Sequence, residues 1–392
     1  MQQGAILALA VAMVVFATPL FLDLAVCIVG NLHRARGPHA DARRTIRLAV
    51  VVPAHDEEMM IARTVRSLKA ADPATQIYVV THNCSDATGA VAEKAGAVIV
   101  ELKNPRLRGK GAALRHGFAA ALEAGANAVL VIDADSVVST NLIAATRAQL
   151  EAGAEATQCR YELELPAAGS SRPLARLRAL AFRGMNVLRA RGRAGLGFST
   201  GLFGNGFALT AATLERAPFS ANSIAEDVEY HTKLVCEGVR VYWIGDAFVH
   251  AHMAASGRVQ ATQEGRWEGG RFKVGSRATG PLFAAVMQGR WRAVETLADV
   301  WSLPLSRGIL ALLLTAALPL HWLHVFAESC AGIALIYVLQ AALLGTAPMR
   351  DLASLAAAPL YLVWKVAITP IVLLQSRSRA EWARTKREAP QP

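Results

Sequence analysis

An α/β fold with a mostly parallel sheet, bracketed by transmembrane helices at both ends, is the class this chain predicts. Three observations carry that expectation. Between residues 47 and 133, short aliphatic runs alternate with segments of helical periodicity, the mark of βαβ units. Long apolar stretches lie toward each end, and hydrophobic types make up 53% of the 392 residues, with a mean hydropathy of +0.31 that is high for a wholly soluble enzyme. Finally, residues 129–132 form an unbroken apolar run, as a strand covered on both faces would, and it ends in Asp133 and Asp135.

Taken in order, residues 5–29 are nearly all apolar and long enough to cross a hydrocarbon layer of ~30 Å. The first four residues are uncharged and the arginines come afterwards, which predicts a retained anchor with its N-terminus outside rather than a cleaved signal. Asp23 would be costly in lipid, so it is expected to face other helices or an interface. Arg34, Arg36, Arg43 and Arg44 follow the anchor, and Arg377, Arg379, Arg384, Lys386 and Arg387 crowd the tail. Basic flanks mark the cytoplasmic side of a bilayer. Much of the net charge of +11 therefore points to a membrane, and without interleaved aromatic and basic residues on one sheet nucleic acid is not an expected partner. Five scattered cysteines, with no Cys-x-x-Cys pair, suggest neither a disulfide framework nor a zinc site and fit a reducing cytosolic setting.

The soluble pattern predicts strands at 47–53, 77–81 and 98–100 and helices at 57–71, near 87–95, and at 111–124. In parallel sheets ligands bind beyond the carboxyl ends of the strands. Residues 53–58, 81–86 and 133–135 should then share one rim. Asp133 and Asp135, one residue apart on extended backbone, point to the same side, and two adjacent anions suit a hard divalent cation that also binds phosphate oxygens. The same Asp-Ala-Asp is equally the composition of a plain surface turn.

Residues 158–165 alternate like a half-exposed strand. Over 173–193 a helix sets leucines against Arg176, Arg178, Arg183, Arg189, Arg191 and Arg193, with Arg172 just before it. Such a helix either lies on a membrane surface or presents a solvated arginine face. The glycine-rich stretch 197–210 is a pocket-lining backbone or a loosely built loop. A helix opens at 223–227, where carboxylates also offset the helix dipole, and a strand at 239–244 is followed by His250 and His252. Arg266 can grip a phosphate and Trp267 can offer a flat face to a sugar or base; the same pair also suits an interfacial helix with a Trp anchor. Apolar blocks at 308–326, 329–344 and 352–374 close the chain. Lys365 inside the last would cost about 2.5–3.5 kcal/mol at mid-bilayer, so two spans plus one re-entrant or interfacial segment are expected. The resulting organisation is an anchor at 1–32, a globular unit at 46–275, an interfacial helix region at 280–306, membrane segments at 308–375 and a basic cytoplasmic tail at 376–392.

Together these motifs resemble, over about residues 47–273, the family 2 glycosyltransferases. The likeness is to their membrane-embedded group, which includes cellulose, hyaluronan and chitin-oligosaccharide synthases and ceramide glucosyltransferase. The resemblance implies a GT-A type nucleotide-sugar-binding domain. Pro53-Ala54-His55-Asp56-Glu57-Glu58 stands where that family has Pro-x-Tyr-Asn-Glu-Glu, which assigns Pro53, His55 and Glu57 to the nucleotide pocket, His55 in the stacking position. Asp133 would lie near the ribose and Asp135 on Mg²⁺ or Mn²⁺. Ala225-Glu226-Asp227 matches Thr-Glu-Asp, making Asp227 the catalytic base. Gln263, Arg266 and Trp267 match Gln-x-x-Arg-Trp at the diphosphate and acceptor entrance, and Lys110 follows a glycine turn near the donor.

One departure is plain. Thr81-His82-Asn83-Cys84-Ser85-Asp86 replaces Asp-Asp-Gly-Ser-x-Asp, so the carboxylate that reads uracil is missing and His82 or Asn83 is left to supply an acceptor, with guanosine open beside uridine. The implied activity is inverting transfer from a UDP-sugar to a lipid or polysaccharide acceptor, with a β-linked product. The implied setting is the inner (plasma) membrane, multi-pass, with the catalytic domain in the cytoplasm. The alternative is a catalytically idle membrane scaffold that senses a nucleotide sugar.

Overall fold

The computed structural model describes residues 2–38, 44–107, 109–165, 173–221, 223, 225–252 and 257–370, with side chains left out at 2, 3, 5, 6, 252, 257–269 and 272. Arg43, Arg172, residues 371–375 of the last apolar block and the basic tail at 376–392 lie outside the described residues.

Among the described residues eight strands form one sheet: β1 (Leu48–Ala54), β2 (Ile77–His82), β3 (Val98–Leu102), β4 (Ala128–Val131), β5 (Ser136–Val138), β6 (Ala156–Glu164), β7 (Phe207–Thr210) and β8 (Val241–His252), in the order β3-β2-β1-β4-β7-β6-β8-β5. The β3-β2-β1-β4 half is parallel, as local alternation predicts, and β6 is parallel to β8. β7 is wedged antiparallel between β4 and β6. Because it runs backwards, its entry loop arrives at the same edge where β4 runs out, with Val131 opposite Phe207.

Helices α2 (Ile61–Ala71), α3 (Thr88–Lys94) and α5 (Leu142–Glu151) cover one face of the sheet, and α4 (Lys110–Glu123), α8 (Ala211–Arg216) and α9 (Glu226–Cys236) the other. Alternate strand residues feed the two cores: Val50, Val52, Leu130 and Ile132 pack with Ile61, Val65 and Leu68, while Val51, Val129 and Val131 pack with Leu114, Phe118 and Tyr230. The helix expected from residue 57 begins at Ile61. Residues 57–60 form a turn instead, because the amides of Glu57 and Glu58 are drawn to Thr88 Oγ1 at 2.8 Å and Asp86 Oδ2 at 3.2 Å. The strand expected at 239–244 runs on to His252, so His250 lies within β8 and stacks on Phe248.

The apolar part comprises α1 (Gln2–Gly30), α12 (Leu305–Ala316), α13 (His321–Leu343), α14 (Pro348–Ala353) and α15 (Ala358–Ala367). Residues 7–30 and α13 are each long and apolar enough to cross a membrane. The first expected C-terminal block breaks after Ala316, near Pro319, and α13 takes up its remainder together with the second. Lys365 is buried, its ammonium over the rings of Tyr361 and Trp364 at 5.5 and 5.7 Å.

Both expectations for the arginine-rich helix need correction at four of its members. It is built as α6 (Pro173–Arg183), a π-helical turn at Gly184–Leu188 and α7 (Arg189–Leu196). Arg189 and Arg193 are buried against α1 and α11 (Ala293–Trp301), paired with Asp23 at 2.6 and 2.9 Å, while Arg193 also meets Glu295 at 2.6 Å. Both reach Asp299, at 2.6 and 2.9 Å. Arg176 and Arg183 close on Asp351 at 2.9 and 2.7 Å. Acids far along the chain neutralise these guanidiniums, and no local periodicity reveals that. Arg191 alone of the described six is exposed. Asp23, as expected, faces other helices.

Candidate active site

The rim forms at the carboxyl ends of β1, β2 and β4, and Lys110 gathers its parts. As the first residue of α4, Lys110 puts its ammonium 2.5 Å from Asp133 Oδ1 and 2.5 Å from the Gly204 carbonyl. Gly204 belongs to the loop that β7's reversed direction delivers here. Gln158 holds that loop, its Nε2 donating to the Asn205 carbonyl at 2.7 Å and its Oε1 accepting from the Phe203 amide at 3.1 Å. Asn205 in turn accepts the Asp133 amide at 3.1 Å and donates to Ser136 Oγ at 2.9 Å, so one side chain fixes both sides of the Asp-Ala-Asp turn. Ser136 Oγ is 3.5 Å from the carboxylate of Asp135, which is almost fully buried.

Asp227 enters from α9. That helix is tied down by Tyr230, whose hydroxyl donates to the Ala217 carbonyl at 2.8 Å. Gly204 holds φ +74°, and a methyl group there would sit 3.5 Å from Asp227 Oδ2 and 3.6 Å from Lys110 Nζ. Lys110, Asp133, Gly204 and Asp227 thus share one spot. Burial raises the Asp227 carboxyl above the ordinary range and outweighs the Val228 amide and Lys110, which favour its charge. Glu226 is pushed up to about 7, chiefly by burial and further by Asp227, against the pull of Lys110. Burial works against the charge on Lys110, but Asp133, Glu226 and Asp227 together hold it protonated.

His55 and His82 lie at the far end of the rim. His55 Nδ1 donates to the His82 carbonyl at 2.7 Å, and the rings are 6.4 Å apart. His82 Nε2 donates to the Leu107 carbonyl at 2.8 Å, and burial followed by the nearby His55 keeps its pKa low. Asn83 Oδ1 accepts the Asn104 amide at 2.8 Å, so its carbonyl secures the loop after β3. Pro53 is buried in β1. Gln263, Arg266 and Trp267 lie on α10 (Gly257–Met287), and their side chains are outside the described residues. Five residues beyond Arg266, Arg271 donates to Asp299 Oδ1 at 2.5 Å and its electrostatic field reaches Asp227.

Among the described residues, the one set of three ligand-type side chains within 4.8 Å of one another is Asp56, Cys84 and Asp86. These acids are already engaged, Asp56 Oδ1 with the Ser85 amide at 2.7 Å, which ties the β1 loop to the β2 loop, and Asp86 Oδ1 with the Thr88 amide at 2.9 Å within the segment after β2. In the sequence Glu226 is marked only as the neighbour of Asp227 in the motif, and Gly204 and Asn205 only as members of the glycine-rich stretch 197–210, of which pocket lining is one of two readings; Ser136 and Arg271 are brought in by long-range topology.

A family model described as "Glycosyltransferase like family 2" matches residues 46–270. Protein RfbJ of Shigella flexneri is 33% identical over 91 residues, 23% of this chain, and the match spans 66% of that protein's length. The solved structure of mannosyltransferase PcManGT from Pyrobaculum calidifontis, in complex with GDP-Man and Mn²⁺, superposes with a TM-score of 0.51 at 18% identity, covering 92% of this chain and 99% of that one. Glucosyl-3-phosphoglycerate synthase from Mycobacterium tuberculosis, solved with Mn²⁺, UDP and phosphoglyceric acid, matches 58% of this chain and 78% of its own at 19% identity and a TM-score of 0.41.

Proposed function

We propose, from the premise that the chain belongs to the family Glycosyltransferase like family 2, that it is a membrane-bound inverting enzyme. It moves a sugar from a UDP-sugar to a hydroxyl of a lipid or polysaccharide acceptor and forms a β-linkage. The observation that carries this reading is the meeting of Lys110, Asp133, the Gly204 carbonyl and Asp227 at one point of the rim. The assignment of Pro53, His55, Glu57, Asp133, Gln263, Arg266 and Trp267 to the donor follows the family motifs.

Asp135 would hold a divalent cation, Mg²⁺ or Mn²⁺. Its oxygens are hard donors and Ser136 and Asn205 fix the turn that carries them, which suits such an ion. Bound there, the ion supplies positive charge against the departing diphosphate. Lys110 adds a fixed ammonium, desolvated and therefore effective on charge that develops in the transition state. Asp227 accepts the acceptor hydroxyl's proton as that oxygen attacks the anomeric carbon from the face opposite the leaving diphosphate, so configuration inverts without a covalent sugar on the enzyme.

Asn83 Oδ1 accepts the Asn104 amide, and the Leu107 carbonyl takes the Nε2 proton of His82, which makes Nδ1 the acceptor atom of that ring. No carboxylate stands at this position to select uracil, so GDP-sugars belong in the donor panel beside UDP-sugars, the more so because the Pyrobaculum protein was solved with GDP-Man. Large apolar side chains left exposed on α1 and α13, among them Val15, Phe16, Leu22, Leu335 and Ile336, support the membrane setting. Membranes carrying the chain, incubated with that panel and read by mass spectrometry, should yield a β-linked product. Asp227→Asn should slow transfer by about 10²–10⁴. An α-linked product, or undiminished transfer by the variant, refutes the mechanism; nucleotide-sugar binding without any transfer would favour the scaffold alternative.

A further inference from the structure

Three arginines from distant parts of the sequence meet on the last turn of α7, where α1 ends. Arg36 follows α1, and its amide donates to the Ala194 carbonyl at 3.2 Å. Arg240, just before β8, donates Nε to the Phe198 carbonyl at 3.1 Å and Nη2 to the Arg36 carbonyl at 3.2 Å. Arg292, just before α11, donates Nε to the Gly197 carbonyl at 3.0 Å. A methyl group on Gly197 would lie 3.5 Å from Arg36 Cδ and 3.6 Å from its Nη1.

The carbonyls at the end of α7 account for one edge of Arg240 and of Arg292. They do not account for three like charges held together. Among the described residues none of the three has a carboxylate partner, whereas Arg176, Arg183, Arg189, Arg193 and Arg271 each do. Burial, and after it Arg292 and Arg36, act against the charge of Arg240, while Tyr242, hydrogen-bonded to it and with its ring 4.5 Å away, favours that charge without supplying a carboxylate. Planar guanidiniums gathered without an acid suit a phosphate, which they bind through paired N–H groups.

The surroundings say which phosphate. Leu32 is 76% exposed and Met287 72%, and Trp291 is half exposed with its ring 5.3 Å from Phe198 and Arg292 poised above it at 5.0 Å. Exposed Trp and aliphatic side chains beside arginines, at the end of an apolar helix, are the composition of a lipid–water boundary.

We propose that Arg36, Arg240 and Arg292 form a binding site for the phosphate of an anionic membrane phospholipid, whose acyl chains lie toward Leu32 and Trp291. This rests on the membrane-bound part of the proposed function and is separate from the donor site, since no residue of that site takes part. The full chain, reconstituted in nanodiscs of phosphatidylcholine with phosphatidylglycerol, is then extracted for native mass spectrometry of the lipids it keeps. Wild type should retain phosphatidylglycerol over phosphatidylcholine by at least tenfold. The variant Arg36→Gln/Arg240→Gln/Arg292→Gln should lose that preference, and should it fail to fold, Arg292→Gln alone, at an exposed position, should reduce it at least threefold. Equal retention of the two lipids by wild type, or an unchanged preference in a folded variant, overturns the site. Abolition of the preference by millimolar inorganic phosphate would show that free phosphate, not lipid, is the ligand, and overturns it as well. A chain that stays in the aqueous fraction and never enters nanodiscs overturns the membrane reading itself, a result distinct from the others.

Discussion

Replacing Asp299 with Asn should unseat the contact between α10 and the apolar helices. Its carboxylate accepts from Arg189 at 2.6 Å, Arg193 at 2.9 Å and Arg271 at 2.5 Å, and it is almost fully buried. With Asp23 and Glu295, three acids there balance three guanidiniums. The amide keeps the shape but removes one negative charge, and its NH₂ turns a donor toward donors. Breaking a buried charge network in this way costs about 3–5 kcal/mol. At about 2 °C for each kcal/mol in a chain of this size, the melting temperature should fall by about 6–10 °C. The assay is a thermal melt followed by tryptophan fluorescence in nanodiscs, with kcat and KM measured on the same samples. Because Arg271 shares α10 with Arg266, kcat should fall more than KM rises. Adding Arg189→Gln restores the balance of charge and should recover at least half of the lost stability. A change of less than about 1 °C in the single variant, where each kcal/mol is worth about 2 °C, would show that the network carries no net stability.

Lys110→Met should leave the fold near wild type in melting but weaken donor binding and transfer by at least tenfold, since it strips the ammonium from Asp133 and frees the Gly204 loop; unchanged kinetics would remove Lys110 from the site. Glu226 ionises near 4.5 when unfolded and about 7 when folded, so the native state holds a proton the unfolded chain has released. The stability this confers is complete below about pH 4.5 and is lost as pH rises through about 7. Urea midpoints of Glu226→Gln should therefore depend less on pH across that window, and parallel profiles for the two proteins would contradict the assignment. Gly204→Ala should cost about 1 kcal/mol for its left-handed backbone and lower kcat by crowding Asp227 and Lys110, which side-by-side melts and initial rates would test.

How much of this was legible in the sequence depended on the range of each interaction. The parallel strands and their shared rim follow from local alternation, and 53–58, 81–86 and 133–135 do fall at the ends of β1, β2 and β4. The glycine-rich loop is different. Its closeness to Asp227 depends on β7 inserting backwards between β4 and β6, a pairing that no window of sequence contains. The arginines of α7 show the same limit from the electrostatic side. Their spacing looks like that of a wetted or membrane-surface helix, and only Asp23 and Asp299, more than a hundred residues away on either side, make them buried. Asp23 was readable as an acid in need of company, though not as to whose.

At Gly192 of α7, a methyl group would come within 2.4 Å of the Cys27 carbonyl on α1 and 2.7 Å of its Cα. Main chain therefore rests on main chain, and the N-terminal helix is no interchangeable tether. A transplanted leader from another protein would need the same carbonyl spacing and an acid at position 23. A fragment trimmed to begin after the leader would lay bare two guanidiniums and a glycine seam, and a chemist wanting crystals of the catalytic half alone should keep the first thirty residues on it.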